Sequence, residues 1–433
     1  MLPREQNELL CRVEGEAPTG QMMRRHWLPV CLSEEVPERD GAPVKARLLG
    51  EDLVVFKDTN GNIGVLDERC PHRGASLVFG RNEECGLRCL YHGWKFDVEG
   101  NCLDMSSEPG GGASVRQAMR TKAYPAREGG GFVWVWMGPK DQMREFEPPA
   151  WAPHPNCRTA IVKMHAECNW AQVLEGSIDS AHSSSLHSTE MPAAQVDGAK
   201  ATGKAWPRPS DDKAPKLQFE PTSYGFRYAA LRRPIQNAES HQYVRTTLFI
   251  APFTVLIPPN DQYNLAQMLV PVDDMNTMFY WVAWHPDPKK GISQEEWRSF
   301  CAATVGVDLD ENFRKKRTLA NRYLQNREAM KQGDFTGIKG IPTQDMAMWE
   351  SMGPIADRSK DHPGSSDVAV VQFRRMMVAA AKKFQAGAPA IGTAEPRVPH
   401  VELASFEGII PKSADWRAAA STPATRGSAV PEY

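Results

Sequence analysis

The chain has 433 residues, enough for two domains with separate cores, and its 41% hydrophobic and 9% aromatic content is that of a folded rather than a disordered protein. Lys and Arg total 51 against 53 Asp and Glu, and a net charge of −2 offers no general attraction to nucleic acid or to an acidic membrane. The N-terminal Met1-Leu2-Pro3-Arg4-Glu5-Gln6 lacks the apolar stretch of a secretory signal, and no apolar run reaches the ~18 residues of a membrane span, so a cytoplasmic protein is expected. Nine scattered cysteines, an odd number, fit reduced thiols better than a disulfide framework.

In chain order, residues 1–24 mix Leu9, Leu10 and Val13 with charges and predict a short helix or arm, followed by an extended His26-Trp27-Leu28-Pro29-Val30. Short β-prone runs follow at Val44–Leu49, Leu53–Lys57 and Ile63–Leu66. Asp58-Thr59-Asn60-Gly61 predicts a hairpin turn with Asn60 and Gly61 both at positive φ. Phe132-Val133-Trp134-Val135-Trp136, after three glycines, is the strongest strand signal, so residues 25–147 read as an all-β domain. The proline-rich stretch 146–153 cannot continue a helix or a central strand and marks a boundary.

Residues 148–386 alternate types and predict a mixed α+β domain. Asn169–Ala181 has helical spacing, and Tyr243–Leu248, Thr254–Ile257, Leu265–Val270 and Met278–Trp284 read as antiparallel strands. Glu295–Val305, Asp310–Lys331 and Ser366–Phe384 are predicted helices, and residues 387–433 form an Ala/Pro-rich arm.

Two constellations carry chemistry. The first is Cys70-Pro71-His72 and Cys89-Leu90-Tyr91-His92, with one cysteine and one histidine in each short loop. A structural zinc accepts such a mixture, but zinc sites usually pair like with like. One thiolate and one imidazole from each loop suits a pair of chemically distinct irons, one holding both cysteines and the other both histidines, which is the ligand set of a Rieske [2Fe–2S] centre. Exchanging two thiolates for neutral imidazoles raises the potential of such a cluster to roughly −150 to +300 mV, suited to a relay that receives electrons. Arg69, Arg73 and Arg88 flank the loops and are candidates for docking an acidic electron donor; Cys85 stands outside the pattern.

The second lies near residue 180. Glu175, Asp179 and His182 recur at i, i+4 and i+7, one face of a continuous helix. His187 would fall about 140° off that face, unless Ser183-Ser184-Ser185 ends the helix and lets it turn back.

The segments Arg69-Cys70-Pro71-His72-Arg73-Gly74 and Cys89-Leu90-Tyr91-His92-Gly93-Trp94-Lys95 closely resemble the cluster-binding loops of Rieske non-haem iron ring-hydroxylating oxygenases. Downstream, Asn169-Trp170 and Asp179-x-x-His182-x4-His187 resemble the mononuclear-iron motif of the same family. The resemblance runs from about residue 7 to Asp357-Arg358 and is nearest the phthalate dioxygenase branch. It implies a helix-grip catalytic domain with an antiparallel sheet, and His182 and His187 as iron ligands. For the third ligand, Asp345 in Thr343-Gln344-Asp345-Met346-Ala347-Met348-Trp349 resembles the family's late-helix segment, with Asp357 as the competitor.

Asp179 resembles the aspartate that bridges a cluster histidine of one subunit to an iron-ligand histidine of the next, which implies a homotrimer or homohexamer. Ser180, Arg208 and Arg245 are nominated by resemblance to hold the carboxylates of an aromatic acid. The branch also implies dioxygen as co-substrate and a separate NAD(P)H-dependent reductase carrying FMN and a plant-type [2Fe–2S] cluster. The expected reaction is cis-dihydroxylation of phthalate (4,5-dioxygenation) or isophthalate. The alternatives are a related monooxygenase or O-demethylase acting on an aryl ether, and a Rieske electron-transfer protein without catalysis of its own.

Overall fold

A computed structural model describes residues 1–149, 151 and 157–420. These fall into two compact units, residues 13–148 and residues 1–12 together with those from 149 onward. Two short helices open the chain, α1 (Arg4–Cys11) and α2 (Pro18–Met23), where one was predicted.

Apart from α2, the regular structure of the unit of residues 13–148 is mainly β, with three sheets. β1 (Trp27–Leu32) pairs with the later β11 (Phe132–Trp136), which also pairs with β10 (Ala126–Gly129). β2 (Val44–Leu48), β3 (Glu51–Lys57), β4 (Ile63–Asp67) and β9 (Ala123–Tyr124) form a second sheet. β5 (Arg81–Glu83), β6 (Gly86–Arg88), β7 (Trp94–Phe96) and β8 (Cys102–Met105) form a third. Val54, Phe56, Leu66, Leu87, Phe96 and Met105, all buried, join the last two sheets into one core that also contains Cys70 and Cys89. The turn between β3 and β4 differs from the expectation. Gly61 takes positive φ (87°) but Asn60 does not, because Asp58 organises a longer loop through Gly61 N–H to its carbonyl and Asn62 N–H to its carboxylate.

The second unit is built on an eight-stranded antiparallel sheet, as the α+β expectation required. Its strands are β12 (Arg158–Ala166), β13 (Lys216–Thr222), β14 (Gly225–Arg232), β15 (His241–Ile250), β16 (Thr254–Ile257), β17 (Asn264–Pro271), β18 (Thr277–His285) and β19 (Glu407–Pro411). The order is β12-β18-β17-β16-β15-β14-β13, and β19 pairs with the first half of β15, where Arg245 faces Glu407. A strand thus lies inside the stretch read as an arm, and Trp416 beyond it is buried.

Helices α3 (Trp170–Ser177), α4 (Gln294–Phe300), α5 (Arg327–Lys331), α6 (Ile341–Ser351), α7 (Val368–Gln385) and α8 (Trp416–Ala419) accompany the sheet. The long helix expected over Asp310–Lys331 is absent. Phe313, Arg322, Tyr323 and Leu324 all adopt positive φ, and the Asp310 and Asn321 side chains bond nearby backbone N–H groups, offering the chain turns in place of helical bonds, while Asn326 caps the short α5. Tertiary packing decides the outcome: Tyr323 is buried with its hydroxyl donated to Glu350, which also pairs with Lys315 at 2.7 Å. Among the described residues no helix is long and apolar enough to cross a membrane.

Candidate metal centres and substrate pocket

The loops after β4 and β6 are built alike. In each, a glycine four residues after the cysteine donates its N–H to the cysteine carbonyl, Gly74 to Cys70 (2.9 Å) and Gly93 to Cys89 (3.0 Å), at φ of 73° and 75°. The positive φ favours glycine in both loops, and at Gly93 a β-carbon would in addition meet the Ser106 hydroxyl at 2.2 Å.

The loops bring His72 and His92 together with ring centroids 4.4 Å apart, His72 stacked on Trp94 at 4.5 Å. Cys70 and Cys89 are both 2% exposed, and His72 Nδ1 is buried without a hydrogen-bond partner. Burial, with Cys89 beside it, pushes the Cys70 thiol up to about 11, so a bound cation there displaces a proton. Two buried thiols and an orphaned imidazole nitrogen fit a metal-sulfur group. Of the flanking arginines, Arg88 is committed inside the unit, to Glu83 (2.9 Å) and Asp104 (2.6 Å), and Arg73 lies over the Tyr91 ring.

In the second unit, α3 ends at Ser177, so Glu175, Asp179 and His182 do not share one helical face. The Ile178 carbonyl accepts from the Tyr228 hydroxyl (2.6 Å), and the Asp179 carboxylate accepts from Ala181 N–H (2.8 Å), a local turn that competes with the helix. Glu175 instead pairs with Arg358 (2.7 Å) and Arg374 (2.8 Å). The irregular segment after α3 is held by side chains: Arg232 donates to the Ser180 carbonyl (2.7 Å) and Arg208 to the Ser183 hydroxyl (3.1 Å) and carbonyl (3.2 Å). His182 sits on a 3-10 turn, and Leu186 N–H reaches back to its carbonyl (2.8 Å), which returns His187 toward it.

Asp345, on α6, completes the group. One carboxylate oxygen lies 3.0 Å from His187 Nε2 and 3.5 Å from His182 Nε2, and the three side chains offer ligand atoms all within 4.8 Å of one another. Two imidazoles and a carboxylate from three places in the chain are the donor set that holds ferrous iron with neighbouring positions open. Asp357 is elsewhere: it bonds Ser359 and pairs with Lys360 at 3.0 Å, while its neighbour Arg358 serves Glu175. The second imidazole nitrogens are also engaged, His182 Nδ1 by Asp179 at 3.3 Å and His187 Nδ1 by Gln344 at 2.7 Å. Burial works to raise the Asp179 carboxyl, but the hydrogen bond and charge of His182 overcome it and hold it below the usual range.

Beside this group is a pocket with about 560 Å³ of open space, lined by Asp179, Ser180, His182, Arg245, Gln267 and Trp281 among others. Its wall is one face of the large sheet. Trp281 faces Gln267 across the β17–β18 ladder, and Thr247 faces Tyr228 across β14–β15 with Arg245 two residues along. Arg245 Nε, Gln267 Oε1 and Trp281 Nε1 are buried without partners.

Arg208 stands one layer back, behind Ser183, and Arg232 behind Ser180. Among the described residues no carboxylate comes within 4.0 Å of the Arg208, Arg232 or Arg245 guanidinium groups, each less than 9% exposed. Burial, and after it the charge of Arg245, lowers Arg208 to about 9 and Arg232 to about 10. Arg232, Gln267, Gln344 and Glu407 were not singled out from sequence; only Gln344, adjacent to Asp345, had any signal of place.

Residues 26–122 match the Rieske [2Fe-2S] domain family, and residues 135–430 match the family described as LigXa C-terminal domain like. The chain belongs to the Rieske non-haem iron oxygenases, enzymes whose cofactors are a Rieske [2Fe–2S] cluster and a mononuclear iron that works with dioxygen. It is 60% identical over 417 residues to the phthalate 4,5-dioxygenase oxygenase subunit of Pseudomonas putida, covering 96% of this chain and 94% of that one. Identity to the 3-chlorobenzoate-3,4-dioxygenase oxygenase subunit of Comamonas testosteroni is 36%, covering 95% and 96%. The fold matches that of Pseudomonas putida CBB5 NdmA, QL mutant with caffeine, with a TM-score of 0.59 at 17% identity, covering 86% of this chain and 95% of that one.

Proposed function

We propose that this chain is the terminal oxygenase of a two-component system that cis-dihydroxylates an aromatic dicarboxylate, phthalate at its 4,5 positions in first place and isophthalate in second. The observation that carries the substrate class is that, among the described residues, three buried guanidinium groups have no carboxylate within 4.0 Å, and Glu407 opposite Arg245 acts on Arg245 and Arg208 only through its charge. Burying an unpaired charge costs several kcal/mol (~3–5), so three of them beside one pocket call for an anion that arrives with the ligand. Arg245 lines the pocket and bonds one carboxylate, with Ser180 donating beside it. Arg208 and Arg232 act through Ser183 and Ser180, holding the wall and adding positive potential. The similarity to a phthalate 4,5-dioxygenase subunit supports the same reading.

In this reading Cys70, His72, Cys89 and His92 hold the cluster in a Rieske domain, residues 25–147, and His182, His187 and Asp345 hold the iron in a catalytic domain that starts at residue 148 and extends past the expected limit of 386 to include β19 and α8. When bound, the two groups supply one-electron reduction and dioxygen activation. The residues of the chain do the rest: Arg245 orients the ring, Trp281 and Ile257 exclude water from its faces, and Asp179 fixes His182. Both atoms of dioxygen enter adjacent ring carbons, with two electrons and two protons completing the balance. The electrons come from a separate NAD(P)H reductase with FMN and a plant-type [2Fe–2S] cluster. The protein works in the cytoplasm as a trimer or paired trimers, in which Asp179 joins His182 to a cluster histidine of the neighbouring protomer.

Two measurements check this. With a matched reductase, phthalate should give a cis-diol with one dioxygen consumed per product; a phenol with formaldehyde from an aryl ether, and no diol from any phthalate isomer, would remove the assignment. Asp179→Asn should leave both metals bound and slow cluster reoxidation in single-turnover mixing by about 10- to 100-fold; an unchanged rate removes its bridging role.

A further inference from the structure

We propose that Gln344 is a positioning residue of the iron site: it fixes the tautomer and orientation of His187, and Glu190 in turn locks Gln344. The inference rests on the reading of His187 as an iron ligand and adds how that ligand is held. Gln344 is fully buried one residue before Asp345, so the early turns of α6 present both a metal-facing carboxylate and the amide behind a histidine.

The amide orientation follows from its partners. Gln344 Nε2 donates to Glu190 Oε1 (2.8 Å) and to the Ile338 carbonyl (2.9 Å), which spends both of its protons. A flipped amide would set its oxygen against two other acceptors, so Oε1 must be the atom 2.7 Å from His187 Nδ1. That oxygen has no proton to give. His187 therefore carries its proton on Nδ1 and presents the Nε2 lone pair, which is the atom aimed at Asp345 Oδ1.

The two histidines are thus oriented by different chemistry. His182 has a carboxylate behind it, Asp179; His187 has a neutral amide whose own position is set by an acid one step further back. A neutral acceptor holds the ring without adding a negative charge next to the metal on that side, which leaves the stronger electrostatic support to His182.

The test is anaerobic titration of Fe(II) alone into full-length protein from which the mononuclear iron has been chelated and whose cluster absorption is intact. Gln344→Leu should weaken Fe(II) binding about 10- to 100-fold at unchanged cluster absorption. Glu190→Gln should weaken it several-fold. Gln344→Leu loaded with Fe(II) should also show shifted ligand-field bands of the iron site in near-infrared magnetic circular dichroism, which a change in fold stability alone would not move. Gln344→Leu binding Fe(II) as tightly as the wild type overturns the proposal, as do unshifted ligand-field bands in that variant. If Gln344→Leu does not fold, Glu190→Gln decides by the same readings, and unchanged affinity there overturns it. His187→Ala serves as the reference: wild-type affinity there removes the ligand assignment itself, whereas loss of iron there with no effect at Gln344 removes only this proposal.

Discussion

Asp345→Ala is expected to leave the visible absorption of the [2Fe–2S] cluster at wild-type intensity while product formation falls by about a thousandfold or more. The cluster loops belong to one compact unit and α6 to the other, and the two cysteines are buried in the core of their own unit. The carboxylate lies 3.0 Å from His187 Nε2 and 3.5 Å from His182 Nε2, and without it the remaining pair of imidazoles is a poor ferrous site. A metal ion contributes several kcal/mol to a reaction of this kind, and at ~1.4 kcal/mol per decade that is about three decades. The matching control is Asp357→Ala, which removes only an exposed turn contact with Ser359 and Lys360 and should keep activity within about twofold. Measured iron per chain and product yield decide it; full activity in Asp345→Ala, or lost iron in Asp357→Ala, would reverse the assignment.

The second large effect belongs to Arg245. Arg245→Met keeps most of the side-chain volume and removes the charge, and kcat/KM for the dicarboxylate should fall about 10²- to 10³-fold, mainly through KM. Losing one partner of a buried charge pair costs ~2–5 kcal/mol, and Arg245 has an unpartnered Nε on the pocket wall to offer a carboxylate. Folding stability should hold or rise, because the guanidinium in the free enzyme is a buried charge with no acid within 4.0 Å among the described residues. A purely structural arginine would do the opposite, losing stability with little change in KM. Denaturant midpoints measured beside steady-state kinetics separate the two cases.

Much of the chemistry was legible from spacing. The paired Cys-x-His and Cys-x-x-His loops need no tertiary information, because each short loop carries its own glycine turn and its own two ligands. The strands Phe132–Trp136 and Thr254–Ile257 and the body of the 18-residue α7 were legible for a related reason: a local run of one periodicity dictates them. Reading failed where distant groups overrule local preference. Asn169–Ala181 has helical spacing, yet Tyr228 from β14 takes the Ile178 carbonyl and α3 stops at Ser177. Glu175 was placed with the metal face and belongs to two arginines from later in the chain. Asp310–Lys331 was read as a helix and is largely turns around a buried Tyr323.

The amino-acid order alone determined which residue types were available for two kinds of iron, and it placed each cysteine and histidine within a few residues of its partner. Between Asp345 and Asp357 it favoured the first by resemblance alone; what brings the Asp345 carboxylate to 3.0 Å from His187, more than 150 residues away, is the packing of α6 and not any local pattern. Nor could it show that, among the described residues, three arginines would be buried with no carboxylate within 4.0 Å, or that Gln344 would stand behind His187. Arg232 and Arg245 share a face because β14 and β15 pair in that register, whereas Arg208 and Gln344 come from outside the strands, and both kinds of approach are long-range properties that periodicity along the chain does not contain.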